Sequence, residues 1–294
     1  MITSAIRASA AVWADYLELA KPRIVALITF TALVGMLLAR PSVPPLDLIF
    51  WSSLGITLAA GCAAVLNQVF DRRIDEMMAR TRARPLPTGR VSEWQAILFA
   101  TVLGVLGMVT LVLFVNLLTA ALTFGALIGY GLVYTIWLKR ATPQNIVIGG
   151  AAGAAPPVLG WTAVTGHLDP NSLNLFLIIL LWTPPHFWSL AIARRREYAR
   201  AGVPMLPVTH GVEYTRTRVL LYTVLLTLVT VVPFVTGMSR TIYLVSVLLL
   251  DGAFLYYAVM LKISGRADLP MKVFRYSINY LMALFAAFLV DHFW

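Results

Sequence analysis

This chain of 294 residues has few charged side chains and a single cysteine. Charged residues make up 12% of the sequence, acidic residues number only 13, and 60% of the residues are hydrophobic. Such a balance excludes a water-soluble globular domain, in which roughly 25% of residues are charged. Cys62 has no second cysteine to pair with in this chain, so it gives no information about the redox compartment. The mean hydropathy of +0.82 indicates a polytopic membrane protein.

Long apolar runs recur along the chain, and none alternates as a barrel strand does. Each is close to the roughly 20 residues that a helix needs to cross a bilayer. The sequence therefore predicts an all-α helical bundle with nine transmembrane helices, forming one membrane domain over residues 1–294. The predicted spans are Ile24–Ala39, Leu46–Leu66, Trp94–Val115, Leu117–Leu138, Ile146–Val164, Leu173–Ala193, Val219–Val235, Ile242–Leu261 and Val273–Val290.

Basic residues are distributed unevenly between the predicted loops. Apart from Arg40 and Arg240, every lysine and arginine precedes the first span or lies in, or within one helical turn of, alternate loops after it. Because positive charge gathers in cytoplasmic loops, this bias predicts a cytoplasmic amino terminus and an odd number of spans. It also accounts for the net charge of +10 without a nucleic-acid partner. In residues 1–23, which show no cleavable signal, Trp13 and Tyr16 share a helical face that predicts an interfacial segment.

Three polar residues recur at every fourth position as the second span ends: Asn67, Asp71 and Asp75. This spacing places them on one face of a helix, where two carboxylates one turn apart repel each other. Acids that bind a divalent cation beside a basic loop are what a magnesium–phosphate substrate requires at a membrane surface. The alternative is a solvated helix end whose acids pair with neighbouring arginines. Because the chain has so few acidic residues, their clustering here favours a functional site over a solvated helix end. The arginines that follow are Arg72, Arg73, Arg80, Arg82, Arg84 and Arg90.

Two later spans contain residues that are unusual in a regular membrane helix. Pro184–Pro185 removes two backbone donors beside His186, which predicts a kink or break in the sixth span. His186 is either a hydrogen-bonded core histidine or a ligand contact. Gly149–Gly150, Gly153 and Pro156–Pro157 make the fifth span a poor regular helix. Close helix packing explains these small residues, and so does the wall of a cavity.

The polar string resembles the first aspartate-rich motif of the UbiA-type intramembrane prenyltransferases. It reads Asn67-Gln-Val-Phe-Asp71-Arg-Arg-Ile-Asp75 and is followed by Thr81-Arg-Ala-Arg-Pro-Leu-Pro87. Within that superfamily the chain is similar to the haem O synthases, and the likeness covers nearly the whole sequence. Further strings that resemble this branch are Ala20–Arg23, Tyr134–Arg140, Asn145–Gly150 through Pro156–Pro157, Trp182–Phe187 and Ala201–Pro207.

The resemblance implies a reaction and a set of site residues. The farnesyl group of farnesyl diphosphate would pass to a vinyl group of haem B, with addition of water, giving haem O. Asn67, Asp71 and Asp75 are implied as catalytic residues that hold Mg²⁺, and His186 as the haem contact. The implied diphosphate contacts are Arg72, Arg84, Lys139, Arg140 and Arg196.

The resemblance also implies a cellular setting. The enzyme would lie in the cytoplasmic (inner) membrane of a bacterium, with its active site facing the cytoplasm. Its partners would be the lipid bilayer, the two substrates, and a haem A synthase or a terminal oxidase assembly.

One string departs from the family pattern. The second motif of the superfamily usually carries aspartates, but here Arg194-Arg195-Arg196-Glu197-Tyr198 offers a single acid. Either Glu197 alone holds a second metal ion, or this half of the site contacts diphosphate mainly through arginine. We expect a mixed role.

Three other functions fit parts of the pattern. A prenyltransferase of the same fold could act on an aromatic or quinone precursor, although the string Trp182–Phe187 favours haem. A transporter would also have many spans, and the similarity of Leu86–Gly89 to Leu206–Gly211 suggests an internal repeat. However, acids in transporters usually lie near the bilayer midplane. A haem chaperone would bind haem and leave its mass unchanged.

Overall fold

The computed structural model describes residues 13–294, and within that range the regular secondary structure is helical, without a strand. Short helices at Trp13–Leu19, Arg195–Arg200 and Leu206–Thr209 accompany the long ones. The long helices are α1 (Pro22–Leu38), α2 (Leu46–Met77), α3 (Glu93–Phe114), α4 (Leu117–Leu138), α5 (Asn145–Thr165), α6 (Pro170–Ala193), α7 (Val212–Val235), α8 (Thr241–Ile263) and α9 (Leu269–Phe293).

Each long helix coincides with a predicted span. Helices α2 to α9 are long and apolar enough to cross a membrane, and α1 qualifies when Trp13–Leu19 is counted with it. These two segments meet at an angle of 54°. Trp13–Leu19 therefore forms the helix predicted before the first span, while residues 1–12 of that predicted segment lie outside the described residues. The all-α membrane fold is confirmed.

Helix α2 continues past the predicted end of its span at Leu66 and ends at Met77. The polar string is thus part of the helix rather than of the following loop. The next span starts at a capping box, in which the Ser92 side chain accepts from the Gln95 backbone and the Gln95 side chain accepts from Ser92. The charged loop between the two helices is therefore confined to about residues 78–92.

Close packing between α1 and α5 depends on glycine. A Cβ atom on Gly160 would lie 1.9 Å from the carbonyl oxygen of Ala32, and one on Gly35 would lie 2.1 Å from that of Pro157. Both contacts are backbone atoms that cannot rotate away. Small residues let membrane helices approach in this way, and here they fix α5 against α1.

The prolines affect α5 and α6 differently. Helix α5 is interrupted at Ala155, directly before Pro156, which agrees with the poor regular helix that the sequence predicted for this span. Helix α6 is continuous through Pro184 and Pro185, so of the predicted kink or break, the break does not occur. Proline is tolerated inside membrane helices because neighbouring groups and Ser or Thr hydroxyls satisfy the freed backbone.

A buried carboxylate joins α7, α8 and α9. Asp251 lies within α8 and is 2% exposed. It accepts hydrogen bonds from the hydroxyl of Thr230 at 2.7 Å and from that of Tyr280 at 2.6 Å. Interhelical bonds of this kind contribute about 0.6 kcal/mol each, up to about 1.7, in a membrane. Asp251 therefore connects the three helices that follow α6 in the chain.

Candidate active site

The polar string forms a buried face of α2. Asn67, Asp71 and Asp75 are 6%, 4% and 4% exposed, respectively. Each is paired with one cation: Lys21 Nζ donates to Asn67 Oδ1 at 2.6 Å, Lys139 Nζ to Asp71 Oδ2 at 2.6 Å, and Arg84 to Asp75 Oδ2 at 2.7 Å. We call these residues the polar cluster: Lys21, Asn67, Asp71, Asp75, Arg84 and Lys139.

Burial separates this arrangement from a solvated helix end. Asp75 does pair with a loop arginine, as the alternative interpretation expected, but the carboxylates are withdrawn from water. Burying a charged side chain in a membrane protein costs free energy. Buried acids that are paired with cations are therefore candidate functional residues. The cations come from three separate parts of the chain, namely the segment before α1, the loop after α2 and the end of α4.

Hydrogen bonds orient the amide and one carboxylate. Asn67 Nδ2 donates to Asp71 Oδ2 at 3.0 Å and to the hydroxyl of Thr135 at 3.2 Å. The Thr135 hydroxyl in turn donates to the carbonyl of Tyr130 at 2.7 Å. Asp71 Oδ1 is buried and has no hydrogen-bond partner among the described residues. An unsatisfied buried carboxylate oxygen is rare in proteins and is a natural position for a bound cation.

Lys21 is a member of the cluster that the sequence did not assign. Its backbone has φ of +53°, which a non-glycine residue adopts at a cost of about 1–3 kcal/mol and mostly at functional sites. Burial, followed by repulsion from Arg84, lowers the pKa of Lys21 to about 7. The available signal was its place in the string Ala20–Arg23, which resembles the haem O synthases.

An apolar cavity of about 320 Å³ extends from Lys21 between α1, α2, α4, α5 and α6. This volume is near the lower end of the roughly 300–1,000 Å³ typical of ligand pockets. Its wall is mostly aliphatic and small, and includes Gly149, Gly150 and Gly153. Gly149 also lies against the ring of Tyr134, so the glycines of α5 provide both close packing and a cavity wall.

Two tyrosines face this cavity from an irregular part of α4. The helix changes to π-helical geometry over Gly129–Leu138. Tyr130 and Tyr134 line the cavity from this segment, and their rings stack at 5.5 Å between centroids. π-helical turns are frequent at functional sites. No sequence pattern distinguishes this turn from an α-helix, so neither tyrosine was assigned to the site from the sequence.

His186 also lines the cavity, and both interpretations of this residue apply in part. Its ring stacks on Trp182 at 4.3 Å between centroids, and Nδ1 lies 2.7 Å from the hydroxyl of Ser277. It is therefore a hydrogen-bonded core histidine that also borders the space where a ligand could lie.

Several predicted site residues do not contact the polar cluster. Arg72 pairs with Glu76 at 3.5 Å and Glu93 at 3.3 Å, and Arg196 is exposed. Glu197 pairs with Arg194 at 2.6 Å, while its Oε2 is buried without a partner among the described residues. The side chain of Arg140 lies outside what the structure describes. Arg84 and Lys139 are the predicted diphosphate contacts that reach the cluster.

The donor atoms suit a hard cation that arrives with its substrate. Within residues 13–294, no three His, Cys, Asp or Glu side chains gather closely enough to hold a metal ion. Asp71, Asp75 and Asn67 offer oxygen atoms only, including the unpaired Asp71 Oδ1. Mg²⁺ usually binds through one or two carboxylates together with substrate phosphates. The residues present therefore fit Mg²⁺ bound as a diphosphate complex.

Comparisons with known proteins agree with this geometry. The model of the UbiA prenyltransferase family matches residues 28–287. A protoheme IX farnesyltransferase of Marinobacter nauticus is 59% identical over 99% of this chain and 97% of its own length. Another from Methylococcus capsulatus is 57% identical over 96% and 94% of the two chains.

Solved structures share the fold at low sequence identity. A structure described for digeranylgeranylglyceryl phosphate synthase has a TM-score of 0.81 at 20% identity, covering 96% of this chain and 99% of its own. A UbiA homolog from Archaeoglobus fulgidus, bound to DMAPP and Mg²⁺, has a TM-score of 0.63 at 18% identity, with 94% and 99% covered. The chain therefore belongs to the UbiA prenyltransferase family and is an intramembrane prenyltransferase.

Proposed function

We propose that this enzyme transfers the farnesyl group of farnesyl diphosphate to a vinyl group of haem B. The bond between the farnesyl carbon and diphosphate breaks, and diphosphate leaves with the electron pair. The vinyl group supplies the electrons of the new carbon–carbon bond. Water then adds to the resulting cation and loses a proton, which gives haem O. The observation that carries the proposal is the apolar cavity that begins at the buried polar cluster.

At the polar end, the chain provides both acids and cations. Mg²⁺ held by Asn67, Asp71 and Asp75 would neutralise the charge that develops on the departing diphosphate. Lys139 and Arg84, which now pair with Asp71 and Asp75, are placed to donate to phosphate oxygens instead. We add Lys21 to these contacts because it joins the cluster to the cavity.

Along the cavity, the aliphatic wall would hold the farnesyl chain. Departure of diphosphate leaves an allylic cation, and the faces of Tyr130 and Tyr134 are suited to stabilise it. A cation over an aromatic ring gains about 0.5–2 kcal/mol, with the larger value at desolvated sites. The same apolar wall excludes water until the acceptor has reacted.

Haem is favoured as the acceptor by the names of the relatives and by His186. Imidazole is a common ligand of haem iron. A UbiA-type enzyme that used an aromatic or quinone precursor would have no iron for this residue to bind. A transporter would leave farnesyl diphosphate unchanged, and a haem chaperone would leave haem unchanged.

The setting of the site is part of the proposal. The bias of basic residues supports an active site on the cytoplasmic side of a bacterial cytoplasmic membrane. Direct transfer of the product to a haem A synthase or terminal oxidase remains a prediction. A second metal ion at Glu197 is likewise a prediction, since Glu197 pairs with Arg194 and forms no hydrogen bond or ion pair with the described side chains of the polar cluster.

Adjacent acids allow a matched test of the metal and diphosphate roles. Asp75→Asn should lower both diphosphate release and haem O formation about a thousandfold or more, since several kcal/mol of leaving-group stabilisation are lost. Glu76→Gln is the control, because Glu76 is half exposed and pairs with Arg72. Equal activity of the two variants would contradict the proposed site. Prenylation of 4-hydroxybenzoate by wild-type enzyme, without haem O formation, would favour the aromatic acceptor.

A further inference from the structure

Ser277 is a buried residue of α9 that connects this helix to the cavity wall on α6. Its hydroxyl lies 2.7 Å from Nδ1 of His186, and its carbonyl accepts the indole N–H of Trp182 at 2.7 Å. The same hydroxyl donates to the carbonyl of Phe274 at 2.7 Å. Ser277 is fully buried, so no solvent competes for these bonds.

These bonds favour a proton on Nδ1 of His186. A serine hydroxyl has one proton to donate, and the carbonyl of Phe274 can only accept it. The hydroxyl oxygen is therefore left to accept a hydrogen bond from His186, which places the ring proton on Nδ1. In neutral imidazole the other nitrogen, Nε2, then carries a free lone pair.

The ring cannot easily turn away from this position. Its faces lie against Trp182 at 4.3 Å and Phe274 at 4.6 Å, and its edge lies against Phe187 at 4.9 Å, measured between centroids. Nε2 has no hydrogen-bond partner among residues 13–294, and His186 lines the apolar cavity. Nε2 is thus a lone-pair donor held at the edge of the apolar cavity.

We propose that Ser277 is a positioning residue that holds His186 in the Nδ1-protonated tautomer, so that Nε2 binds the iron of haem B. This inference rests on the proposed function, which supplies the iron-containing acceptor. Histidine ligands generally donate their second ring N–H to a neighbouring acceptor, which fixes the ring and its tautomer. Ser277 provides that acceptor here.

Removal of the hydroxyl tests the inference. Ser277→Ala should weaken haem affinity and raise the KM for haem about 10- to 100-fold, as is typical when such a partner is lost. The KM for farnesyl diphosphate should not change. The Soret band of bound ferric haem should lose the character of histidine ligation, and Ser277→Thr, which restores the hydroxyl, should recover it at least in part.

A matched control separates this effect from general damage. Ser189 is also fully buried, on the same helix as His186, but its hydroxyl donates only to the carbonyl of Pro185 on its own helix. Ser189→Ala should therefore keep the wild-type haem spectrum. An unchanged spectrum and haem affinity in Ser277→Ala would overturn the inference, as would an equal loss in Ser189→Ala.

A measurement on wild-type protein does not depend on the folding of a variant. With ¹⁵N-labelled histidine, the resonance of His186, assigned by its absence in His186→Gln, should show a protonated Nδ1 and an unprotonated Nε2. Addition of haem B should perturb Nε2 most strongly. A protonated Nε2 in the free protein would overturn the inference even if the enzyme makes haem O. Failure of the wild-type enzyme to make haem O would instead overturn the proposed function.

Discussion

The contact between Gly149 and Tyr134 gives a sharp test of the cavity wall. A Cβ atom on Gly149 would lie 2.1 Å from Cδ2 and 2.4 Å from Cε2 of the tyrosine ring, whereas ordinary contacts are 3.4–4 Å. In Gly149→Ala the ring must therefore move by more than about 1 Å, because the 2.1 Å contact has to lengthen to at least 3.4 Å. Displacement of about 1 Å at a reacting centre can cost roughly 100-fold in rate.

The effect on folding should be much smaller than the effect on rate. Alanine is favoured over glycine inside a helix by about 0.5–1 kcal/mol, while overpacking of a buried site costs about 1–3 kcal/mol. The two terms partly offset each other. We therefore expect Gly149→Ala to insert and remain folded, with haem O formation per folded protein lowered about 100-fold.

The assay compares this variant with a glycine on the helix of Tyr134 itself. A Cβ atom on Gly125 has no heavy atom within 4 Å, and Gly125 does not line the cavity. Gly125→Ala should therefore keep the wild-type rate. The position of Tyr134 would be irrelevant to catalysis if purified Gly149→Ala produced haem O as fast as Gly125→Ala, and that result would refute the reasoning.

Three further predictions concern the cations, the metal ion and stability. Lys139→Gln should raise the KM for farnesyl diphosphate about 10- to 100-fold, because a hydrogen bond to a charged group contributes about 1.5–3 kcal/mol. Lys272→Gln is the control, since Lys272 is exposed. Equal KM values for the two variants would contradict the assignment of Lys139. Chelation of divalent cations should abolish diphosphate release and Mg²⁺ should restore it, so full activity in chelator would exclude the metal role. Asp251→Leu should lower the temperature of thermal unfolding without changing turnover per folded protein, since Asp251 joins α7, α8 and α9 but does not itself line the cavity. An unchanged unfolding temperature would contradict this role.

The sequence predicted those features that depend on local pattern. Apolar runs identified the helices, and the spacing of Asn67, Asp71 and Asp75 identified their common face. The burial of that face could not be predicted from the sequence, because it depends on contacts with Lys21 and Lys139, which lie in distant parts of the chain.

Features that depend on tertiary contacts were missed or predicted only in part. The π-helical turn carrying Tyr130 and Tyr134 has no sequence signature. The sequence predicted a kink or break at Pro184–Pro185, and α6 does not break there, because a membrane helix tolerates proline when neighbouring groups satisfy the freed backbone. Arg72 pairs with Glu76 and Glu93 in the structure, which the sequence did not predict, and its contact with diphosphate stays a prediction.

The central claim is farnesyl transfer to haem B, and mass analysis of the product tests it most directly. Purified enzyme would be incubated with haem B, Mg²⁺ and farnesyl diphosphate. The extracted haems would then be separated, and their molecular masses measured by mass spectrometry. We predict a haem whose mass has increased by the farnesyl group and one water, formed in equal amount to the diphosphate released. Recovery of haem B alone, with the enzyme folded and farnesyl diphosphate bound, would contradict the proposed function.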